Sequence, residues 1–309
     1  MPGKQGIKLV IVQGPTASGK SELAVRLAEQ FSGEIINADS MQVYRSMNIG
    51  TAKPSADQRQ RVPHHLLDIV DPDQTFSAAD FCREAETIIS DIARRGKNII
   101  VCGGTGLYIR ALTKGLMDSP AGDADLRSEL QDLAIREGSG ALHRRLAEVD
   151  PVSAKRIHPN DQFRIIRALE VYQLTGRPIS ELRGEHQFGT LRYDYRKIGL
   201  SMDRESLYRN VDNRVDLMIG QGFLEEVKAL LAAGYSSNLK PMRSLGYRQL
   251  CNYLEGDIPF ADVIQLIKRD TRRYAKRQLT WFNQDPEIKW IEYPGNVAII
   301  ENIVIDYFD

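Results

Sequence analysis

The stretch Gly14–Ser21 constrains this chain more than any other feature of the sequence. It reads GPTASGKS and matches G-x-x-x-x-G-K-S/T, the pattern of a phosphate-binding loop. An apolar run from Ile7 to Val12 precedes the loop, and apolar residues at helical spacing follow it from Glu22 to Phe31. A strand before and a helix after are the expected context, because backbone N–H groups then converge on an anion at a helix N-terminus.

The loop also predicts roles for its own side chains. Lys20 is expected to reach the outer phosphates, and the Ser21 hydroxyl is placed to bind Mg²⁺. The residues expected to bind the chain of phosphates are Gly14, Pro15, Thr16, Ala17, Ser18, Gly19, Lys20 and Ser21. The pattern does not say which molecule carries those phosphates.

Short apolar strands alternate with helical segments over the first third of the chain. The predicted strands are Ile7–Val12, Ile35–Ala38 and Asn98–Cys102, and the predicted helices are 22–31, 77–95 and 107–116. Residues 41–76 are predicted to be largely irregular, with prolines as punctuation. This alternation predicts an α/β fold, a P-loop NTPase-like parallel sheet flanked by helices.

The middle of the chain differs in character and predicts an all-helical insertion. Between residues 118 and 195 there is no strand-like run, and helical spacing recurs at 125–136, 141–149 and 161–175. Strand character returns at 197–202 and 289–293, with helices near 204–220, 222–233, 243–255 and 260–282. The predicted organisation is a first core segment at 1–117, a helical insertion at 118–195 and a second core segment at 196–309.

Charge and cysteine content limit the possible partners. The 41 basic and 41 acidic residues cancel, so a nucleic acid would have to be bound by local patches. The three cysteines are far apart, so a zinc site or a disulfide framework is not expected and a reducing compartment fits. No window has the apolar length of a membrane span, so we expect a cytoplasmic protein without a membrane partner.

Polar residues follow two of the predicted strands, where ligands bind in open α/β sheets. Asp39 could act as a base, orient a nucleophile or hold Mg²⁺ through water, and an ordinary turn aspartate is an equally good interpretation. Gln42 carries an amide that suits the edge of adenine. The third strand ends in Cys102-Gly103, without the aspartate with which many P-loop NTPases hold Mg²⁺.

Basic residues cluster in several places despite the neutral balance. The clusters are Lys155, Arg156, Arg164 and Arg167, then Arg243 and Arg248, then Lys268, Arg269, Arg272, Arg273, Lys276 and Arg277. Tyr274, Trp281 and Phe282 interleave with the last cluster, as suits phosphate contacts beside stacking surfaces. A polyanionic partner and a solvated helix face explain these clusters about equally well.

Taken together, the motifs resemble the tRNA dimethylallyltransferase family, also called tRNA isopentenyltransferases. They occur in order over nearly the whole chain, and with no Cys/His extension after Phe282 they are similar to the bacterial type. The matching segments are Gly14–Ser21, Asp39–Tyr44, Gly50–Pro54, Pro63–Asp68, Gly103–Tyr108, His158–Asp161, Arg167–Val171, Gly246–Gln249 and Tyr274–Phe282.

The resemblance implies a reaction and two substrates. The reaction is transfer of the dimethylallyl group of dimethylallyl diphosphate to the exocyclic amine of adenosine 37, giving isopentenyladenosine. That adenosine lies next to the anticodon in tRNAs that read codons beginning with U. The implied partner is the tRNA anticodon stem-loop, the implied cofactor is Mg²⁺, and the implied state is a monomer.

The resemblance also implies site residues. Asp39, Lys20, Thr16 and Arg214 match catalytic positions, with Asp39 as the base or acceptor that orients the amine and with Thr16 and Arg214 handling the diphosphate. Positions that match tRNA-contacting segments are Asp39, Ser40, Met41, Gln42, Thr105, Arg127, Gln162, Phe163, Arg164, Ile165, Ile166, Arg243, Gly246, Tyr247, Arg248 and Gln249.

Two other interpretations stay open at this stage. A P-loop kinase of a nucleoside or small metabolite would share the phosphate loop, the helical insertion and the arginines. A non-catalytic RNA-binding module would explain the basic clusters and would leave Gly19-Lys20-Ser21 without a task. Whether ATP binds is also undecided.

Overall fold

The computed structural model describes residues 6–117, 120, 122–186, 192–256 and 258–309. The chain divides into two compact units, one formed by Met1–Thr113 with Leu191–Asp309 and the other by Lys114–Thr190. The predicted start of the insertion, at residue 118, lies outside the described residues. In the part that is described, no helix combines the length and the apolar character needed to cross a membrane.

The first unit contains a single six-stranded parallel sheet with the order β3-β2-β4-β1-β5-β6, which confirms the predicted fold class. The strands are β1 (Lys8–Gln13), β2 (Gly33–Asn37), β3 (His64–His65), β4 (Asn98–Gly103), β5 (Asp194–Ser201) and β6 (Ile288–Glu292). Since all strands run the same way, β1, β2 and β4 end at the same edge of the sheet. That edge carries the phosphate loop.

Helices flank the sheet in the first unit and make up the second unit. Those of the first unit are α1 (Lys20–Gln30), α2 (Ala56–Arg61), α3 (Ala78–Arg94), α4 (Gly106–Lys114), α10 (Arg204–Gly220), α11 (Phe223–Ala232), α12 (Tyr247–Leu254), α13 (Phe260–Phe282) and α14 (Val297–Phe308). Those of the second are α5 (Ala124–Glu137), α6 (Ser139–Val149), α7 (Pro151–Arg156), α8 (Gln162–Thr175) and α9 (Ile179–His186).

Each unit has its own hydrophobic core. In the first, Val10 and Ile100 of the central strands pack with Leu23 and Leu27 of α1 and with Ile300 of α14. Strands covered on both faces read as continuous apolar runs, which explains why β1 and β4 are visible in the sequence. In the second unit, buried residues of α5, α6, α8 and α9 form a separate cluster.

Several elements differ from the predictions. The segment predicted to be irregular contains α2 and β3, and α7, α9 and α14 were not predicted. Helix α2 buries none of its residues, so it has no apolar periodicity, although Ser55 and Gln58 form a capping box that could have revealed it. Strand β5 begins at Asp194, ahead of the predicted core segment at 196, because its first residues are polar while their backbone already pairs with β1.

Candidate active site

The phosphate loop joins β1 to α1 in a conformation that needs glycine. Gly19 caps α1 with φ of 87°, in the left-handed region, and a Cβ atom there would lie 2.5 Å from the Tyr293 ring. Lys20 is the first residue of α1, and its Nζ donates to the Pro15 carbonyl oxygen at 3.2 Å. The lysine therefore lies folded over the loop, and an incoming phosphate would replace the Pro15 carbonyl oxygen as the acceptor of its Nζ hydrogen bond.

The four residues that match catalytic positions lie around one space. Thr16, Lys20, Asp39 and Arg214, with Ser21, line a small cavity at the carboxyl ends of the strands, which we call the phosphate chamber. Arg214 comes from α10, far along the chain, and its Nη1 donates to the Thr16 hydroxyl at 3.4 Å. The fold thus brings together residues that the sequence separates widely.

The phosphate chamber carries excess positive charge. Burial lowers the pKa of Lys20, and the positive charge of Arg214 lowers it further. Burial also lowers the pKa of Arg214, and the charge of Asp39 opposes that change. An anion that enters restores the balance, because it favours the charged form of both cations. Burial raises the pKa of the Cys102 thiol to about 11, so this cysteine stays neutral beside them.

Hydrogen bonds set the turns that follow β2 and β4. The Ser40 N–H donates to the Thr105 hydroxyl oxygen at 3.0 Å, and that hydroxyl donates to Ser40 Oγ at 3.3 Å. The Met41 N–H donates to Asp39 Oδ1 at 2.9 Å. Asp39 is therefore a turn aspartate that also faces the chamber, so the two interpretations of this residue are compatible.

Gln278 of α13 connects these segments, and sequence reasoning gave it no role. Its Oε1 accepts the Thr16 N–H at 2.8 Å, and its Nε2 donates to the Gly104 carbonyl oxygen at 2.9 Å. The side chain is buried and lines the phosphate chamber. The sequence did hold a signal for Gln278, because a glutamine on the buried face of a charged helix needs hydrogen-bond partners. Those partners lie far away in the sequence, so they could not be identified from it.

A larger cavity of about 760 Å³ shares Thr16, Asp39, Thr51, Arg214 and Tyr274 with the phosphate chamber. Its volume falls in the range of small-molecule sites. Its apolar wall is formed by Val211, Val215, Met218, Phe223 and Ile267. Arginines also line it, namely Arg243, Arg248, Arg269, Arg273 and Arg277. The arrangement offers an apolar slot beside groups that bind phosphates.

Several residues that match tRNA-contacting segments lie on the first unit. Asp39, Ser40, Met41, Arg243, Gly246, Tyr247 and Arg248 line the large cavity. Gln42 is buried, and its Nε2 donates to the carbonyl oxygens of Thr51 and Ala52 at 3.0 Å each. Both amide protons are therefore used within the protein, although Gln42 still lines the phosphate chamber, and its use as a reader of adenine stays a prediction. Gln249 is likewise buried, and its Nε2 donates to Asp270 Oδ2 at 3.0 Å.

The helical unit supplies the others, and they fall into two groups. Gln162, Phe163 and Arg164 are exposed at the start of α8, where Phe163 is 81% exposed. Ile165 and Ile166 are buried in the core of that unit. Their side chains cannot contact a partner, which corrects the sequence prediction: helical spacing turns these two positions inward while their neighbours face out.

Some basic residues have internal partners. Arg127 and Arg167 both bind the fully buried carboxylate of Glu170, at 2.8 Å and 2.5 Å. In α13, Lys268 and Arg272 pair with Asp216 and Asp212 of α10. The charge of Lys268 and Arg272 is therefore used to join two helices, which neither of the two interpretations of the basic clusters, a polyanionic partner or a solvated helix face, had included.

The fold and the site together define a P-loop protein in which a chamber lined by Lys20 and Arg214 adjoins a larger, arginine-lined cavity. A family model described as IPP transferase matches residues 42–285. The tRNA dimethylallyltransferase 2 of Geotalea uraniireducens is 62% identical over 99% of both chains, and the tRNA dimethylallyltransferase of Geobacter sulfurreducens is 57% identical over 97% of both.

Solved structures give the same result. The tRNA isopentenylpyrophosphate transferase of Bacillus halodurans is 40% identical, covers 97% of this chain with 96% of its own, and has a TM-score of 0.72. A eukaryotic dimethylallyltransferase described as acting on tRNA is 31% identical, with a TM-score of 0.82 over 97% of this chain and 79% of its own. The chain belongs to the tRNA dimethylallyltransferase family of prenyltransferases, and the kinase alternative is not favoured.

Proposed function

We propose that this chain transfers the dimethylallyl group of dimethylallyl diphosphate to the exocyclic amine of adenosine 37 in tRNAs that read codons beginning with U. One observation carries the proposal. Asp39 belongs to the lining of both the phosphate chamber and the large cavity, so a single carboxylate faces the places where a diphosphate and a base would lie. Group transfer between two substrates needs such a shared boundary.

The residues of the chamber suit a diphosphate that departs. When the bond between the allylic carbon and oxygen breaks, negative charge grows on the diphosphate. Lys20, Arg214 and the N–H groups of the loop then bind it more strongly than in the ground state. The end of β4 carries Gly103 and no aspartate, so Mg²⁺ would have fewer protein ligands here than in the P-loop NTPases that hold it with an aspartate at this place.

The side chains near Ser21 offer few ligands for Mg²⁺, so the ion would have to bind mainly through water and the phosphates of the substrate. Among the described residues, no group of three or more His, Cys, Asp or Glu side chains could hold a metal. Mg²⁺ commonly keeps several waters and binds through few protein ligands together with substrate phosphates. Ser21 would hold it in that way, and the bound ion would supply additional charge to stabilise the leaving diphosphate.

Asp39 is proposed to orient the acceptor amine and to take its proton. The amine nitrogen forms the new bond to the allylic carbon, the diphosphate leaves with the electron pair of the broken bond, and one amine proton passes to the carboxylate or onward to water. The Met41 N–H and the Ser40–Thr105 hydrogen bonds hold this turn in place. Fixing the carboxylate before the reaction lowers the entropic cost of attack.

The large cavity is proposed to receive the adenosine after it leaves the anticodon loop. Extruding a base from a single-stranded loop costs a few kcal/mol at most. The apolar wall and Tyr274 offer surfaces for stacking, and the cavity arginines offer phosphate contacts. On the helical unit, Phe163 and Arg164 are exposed and are proposed to contact the anticodon stem-loop. We expect the protein to act as a monomer in the cytoplasm.

The decisive test is incubation of the protein with unmodified tRNA and radiolabelled dimethylallyl diphosphate, with label counted on the RNA. Label on adenosine 37 is expected, and a variant tRNA with guanosine at that position serves as the control. Thermal denaturation separates this function from the kinase alternative, since a site ligand raises the Tm by mass action. Dimethylallyl diphosphate should raise it more than ATP does, and no label on RNA would contradict the proposal.

A further inference from the structure

The loop Met47–Lys53 forms part of the wall of the large cavity, where Gly50, Thr51 and Ala52 line it. Three successive backbone N–H groups of this loop converge on one carboxylate, that of Glu226 in α11. Asn48 and Ile49 donate to Glu226 Oε2 at 2.7 Å each, and Gly50 donates to Oε1 at 3.1 Å. Such a run of N–H groups is an anion-binding concavity, and here the protein fills it with its own side chain.

The same carboxylate reaches a second wall of the cavity. The Tyr247 hydroxyl, at the start of α12, donates to Glu226 Oε1 at 2.6 Å. Burial raises the pKa of Tyr247, and the charge of Glu226 raises it further, so the phenol remains a donor at every working pH. Glu226 therefore joins the loop, α11 and α12 through bonds to an ionised acceptor, which are stronger than neutral hydrogen bonds.

Close packing makes these three walls depend on one another. A Cβ atom on Gly50 would lie 2.1 Å from the Phe223 ring and 2.6 Å from the Tyr247 ring. The rings of Phe223 and Tyr247 meet edge to face with centroids 4.9 Å apart. With no room between them, the position of the loop depends on this packing together with the bonds that Glu226 accepts from its N–H groups, while Gln42 bonds to the carbonyl oxygens of Thr51 and Ala52. Glu226 itself is not part of the cavity lining.

We propose that Glu226 is a positioning residue for the RNA-binding side of the site, an inference that rests on the proposed function. It holds the loop Met47–Lys53 against Phe223 and Tyr247 and thereby fixes the shape of the cavity that receives the base. Lys20, Ser21 and Arg214 lie in the phosphate chamber and do not contact this carboxylate in any bond described above. Gly50, Thr51 and Ala52 of this loop line the large cavity, whereas Thr51 alone among them also lines the phosphate chamber. Loss of the carboxylate should therefore weaken binding of tRNA much more than binding of the diphosphate substrate.

The test is the variant Glu226→Gln, in which an NH₂ group must face backbone N–H donors. We expect KM for tRNA to rise about tenfold or more, because each oxygen of Glu226 accepts two hydrogen bonds and an NH₂ group in place of either oxygen accepts neither. We expect the Kd for dimethylallyl diphosphate, measured by calorimetry without RNA, to stay within about twofold. Glu225→Gln is the matched control, since it makes the same change one position earlier on an exposed side chain and should leave both constants unchanged.

Tyr247→Phe is the second variant and keeps the ring while it removes one donor to the carboxylate. It should raise KM for tRNA in the same direction by a smaller factor, and it decides the question if Glu226→Gln does not fold. Unchanged KM for tRNA in both variants would overturn the inference, and so would an equal loss of affinity for both substrates. If the unaltered protein transfers no label to tRNA, the proposed function fails; if it does and the variants match it, only the inference fails.

Discussion

At the scale of single residues, the site depends on two cations and one carboxylate held close together. Lys20 and Arg214 are both pushed toward their neutral forms by burial, and Asp39 lies near enough to oppose this. A bound anion such as a diphosphate would favour the charged forms of both cations. In the proposed reaction this arrangement would bind the leaving diphosphate more tightly as its charge grows, which is the condition for catalysis.

Replacing Asp39 should affect turnover more than binding of the diphosphate substrate. Asp39→Ala removes the group proposed to orient the amine and accept its proton, and we expect kcat to fall about 100- to 10,000-fold. The Kd for dimethylallyl diphosphate should change little, because its phosphates are bound by the loop and by Arg214. Single-turnover kinetics and calorimetry measure the two quantities. Near-normal turnover would remove Asp39 from its assigned role.

Proton uptake should accompany binding of the diphosphate at alkaline pH. The pKa of Lys20 lies below its ordinary value of 10.5, so part of the free protein is neutral at this lysine within a window below that value. Bound phosphates favour the charged form, so a proton must be taken up. Calorimetry at a series of pH values below 10.5, in buffers of different ionisation enthalpy, measures it. Lys20→Met should abolish the uptake; equal uptake in both proteins would contradict the prediction.

At the scale of secondary-structure elements, α13 does two tasks along its length. Lys268 and Arg272 join it to α10 through ion pairs, while Gln278 reaches the phosphate loop and the turn after β4. The helix therefore connects the basic side of the cavity with the chamber. A sequence pattern can show that such a helix is amphipathic, but not what its polar residues hold.

Removing the Gln278 amide should weaken binding of the diphosphate substrate. Gln278→Leu leaves the Thr16 N–H and the Gly104 carbonyl without their partner, which costs about 1–3 kcal/mol. We expect KM for dimethylallyl diphosphate to rise about 5- to 100-fold with a smaller effect on KM for tRNA. Gln265→Leu, on an exposed position of the same helix, is the control. Steady-state kinetics with each substrate varied in turn would show whether the effect is specific.

In the helical unit, Glu170 should be a determinant of stability. Burial raises the pKa of Glu170, but hydrogen bonds from Arg167, the Asp123 N–H and Arg127 outweigh it and hold the pKa below 4.5. Glu170→Gln should lower the free energy of unfolding by about 1–3 kcal/mol, because both arginines remain partly exposed to water.

Urea denaturation followed by circular dichroism measures this loss. A carboxylate with a lowered pKa stabilises the fold above about pH 4.5, and this contribution disappears as the pH falls through the folded value. The difference between Glu170→Gln and the unaltered protein should therefore shrink in acid. Glu181→Gln, an exposed pair in the same unit, should behave as wild type at every pH. An undiminished difference in acid would argue against the ion pairs as the cause.

At the scale of the whole molecule, a chain with no net charge can bind a polyanion only where basic side chains locally outnumber acidic ones. Most basic residues of α13 have acidic partners, and the arginines around Asp270 share one carboxylate. The large cavity therefore presents the surplus of positive charge. Affinity for RNA should depend on salt through these few side chains rather than on net charge.

Removing one exposed cavity arginine should reduce this salt dependence. Arg243→Ala is expected to weaken tRNA binding and to lower the slope of log K against log salt by about 1, the value for one phosphate contact. Filter binding between about 50 and 200 mM salt measures the slope. Arg94→Ala, on an exposed arginine that pairs with Asp91 at the end of α3, should leave the slope unchanged. An equal change in both variants would count against a role for the cavity arginines.

The sequence by itself determined the fold class and most of the elements, for physical reasons that are local. Buried strands such as β1 and β4 are continuous apolar runs, and the loop Gly14–Ser21 needs its glycines wherever it occurs. Elements without a buried face, such as α2, left no periodic signal and were missed. The resemblance of ordered motifs also gave the family, which the comparisons confirm.

Only the tertiary structure decided which of the motif residues face a cavity and which hold the protein together. Ile165 and Ile166 match a tRNA-contacting segment yet face inward, while Gln278 and Glu226 act on segments far away in the chain. The physical reason is that a hydrogen bond depends on distance in space, and the chain separations here exceed any local pattern. The phosphate loop could be read from eight consecutive letters, and the resemblance pointed to Arg214, but only the folded chain shows that Arg214 and Gln278 bond to the loop.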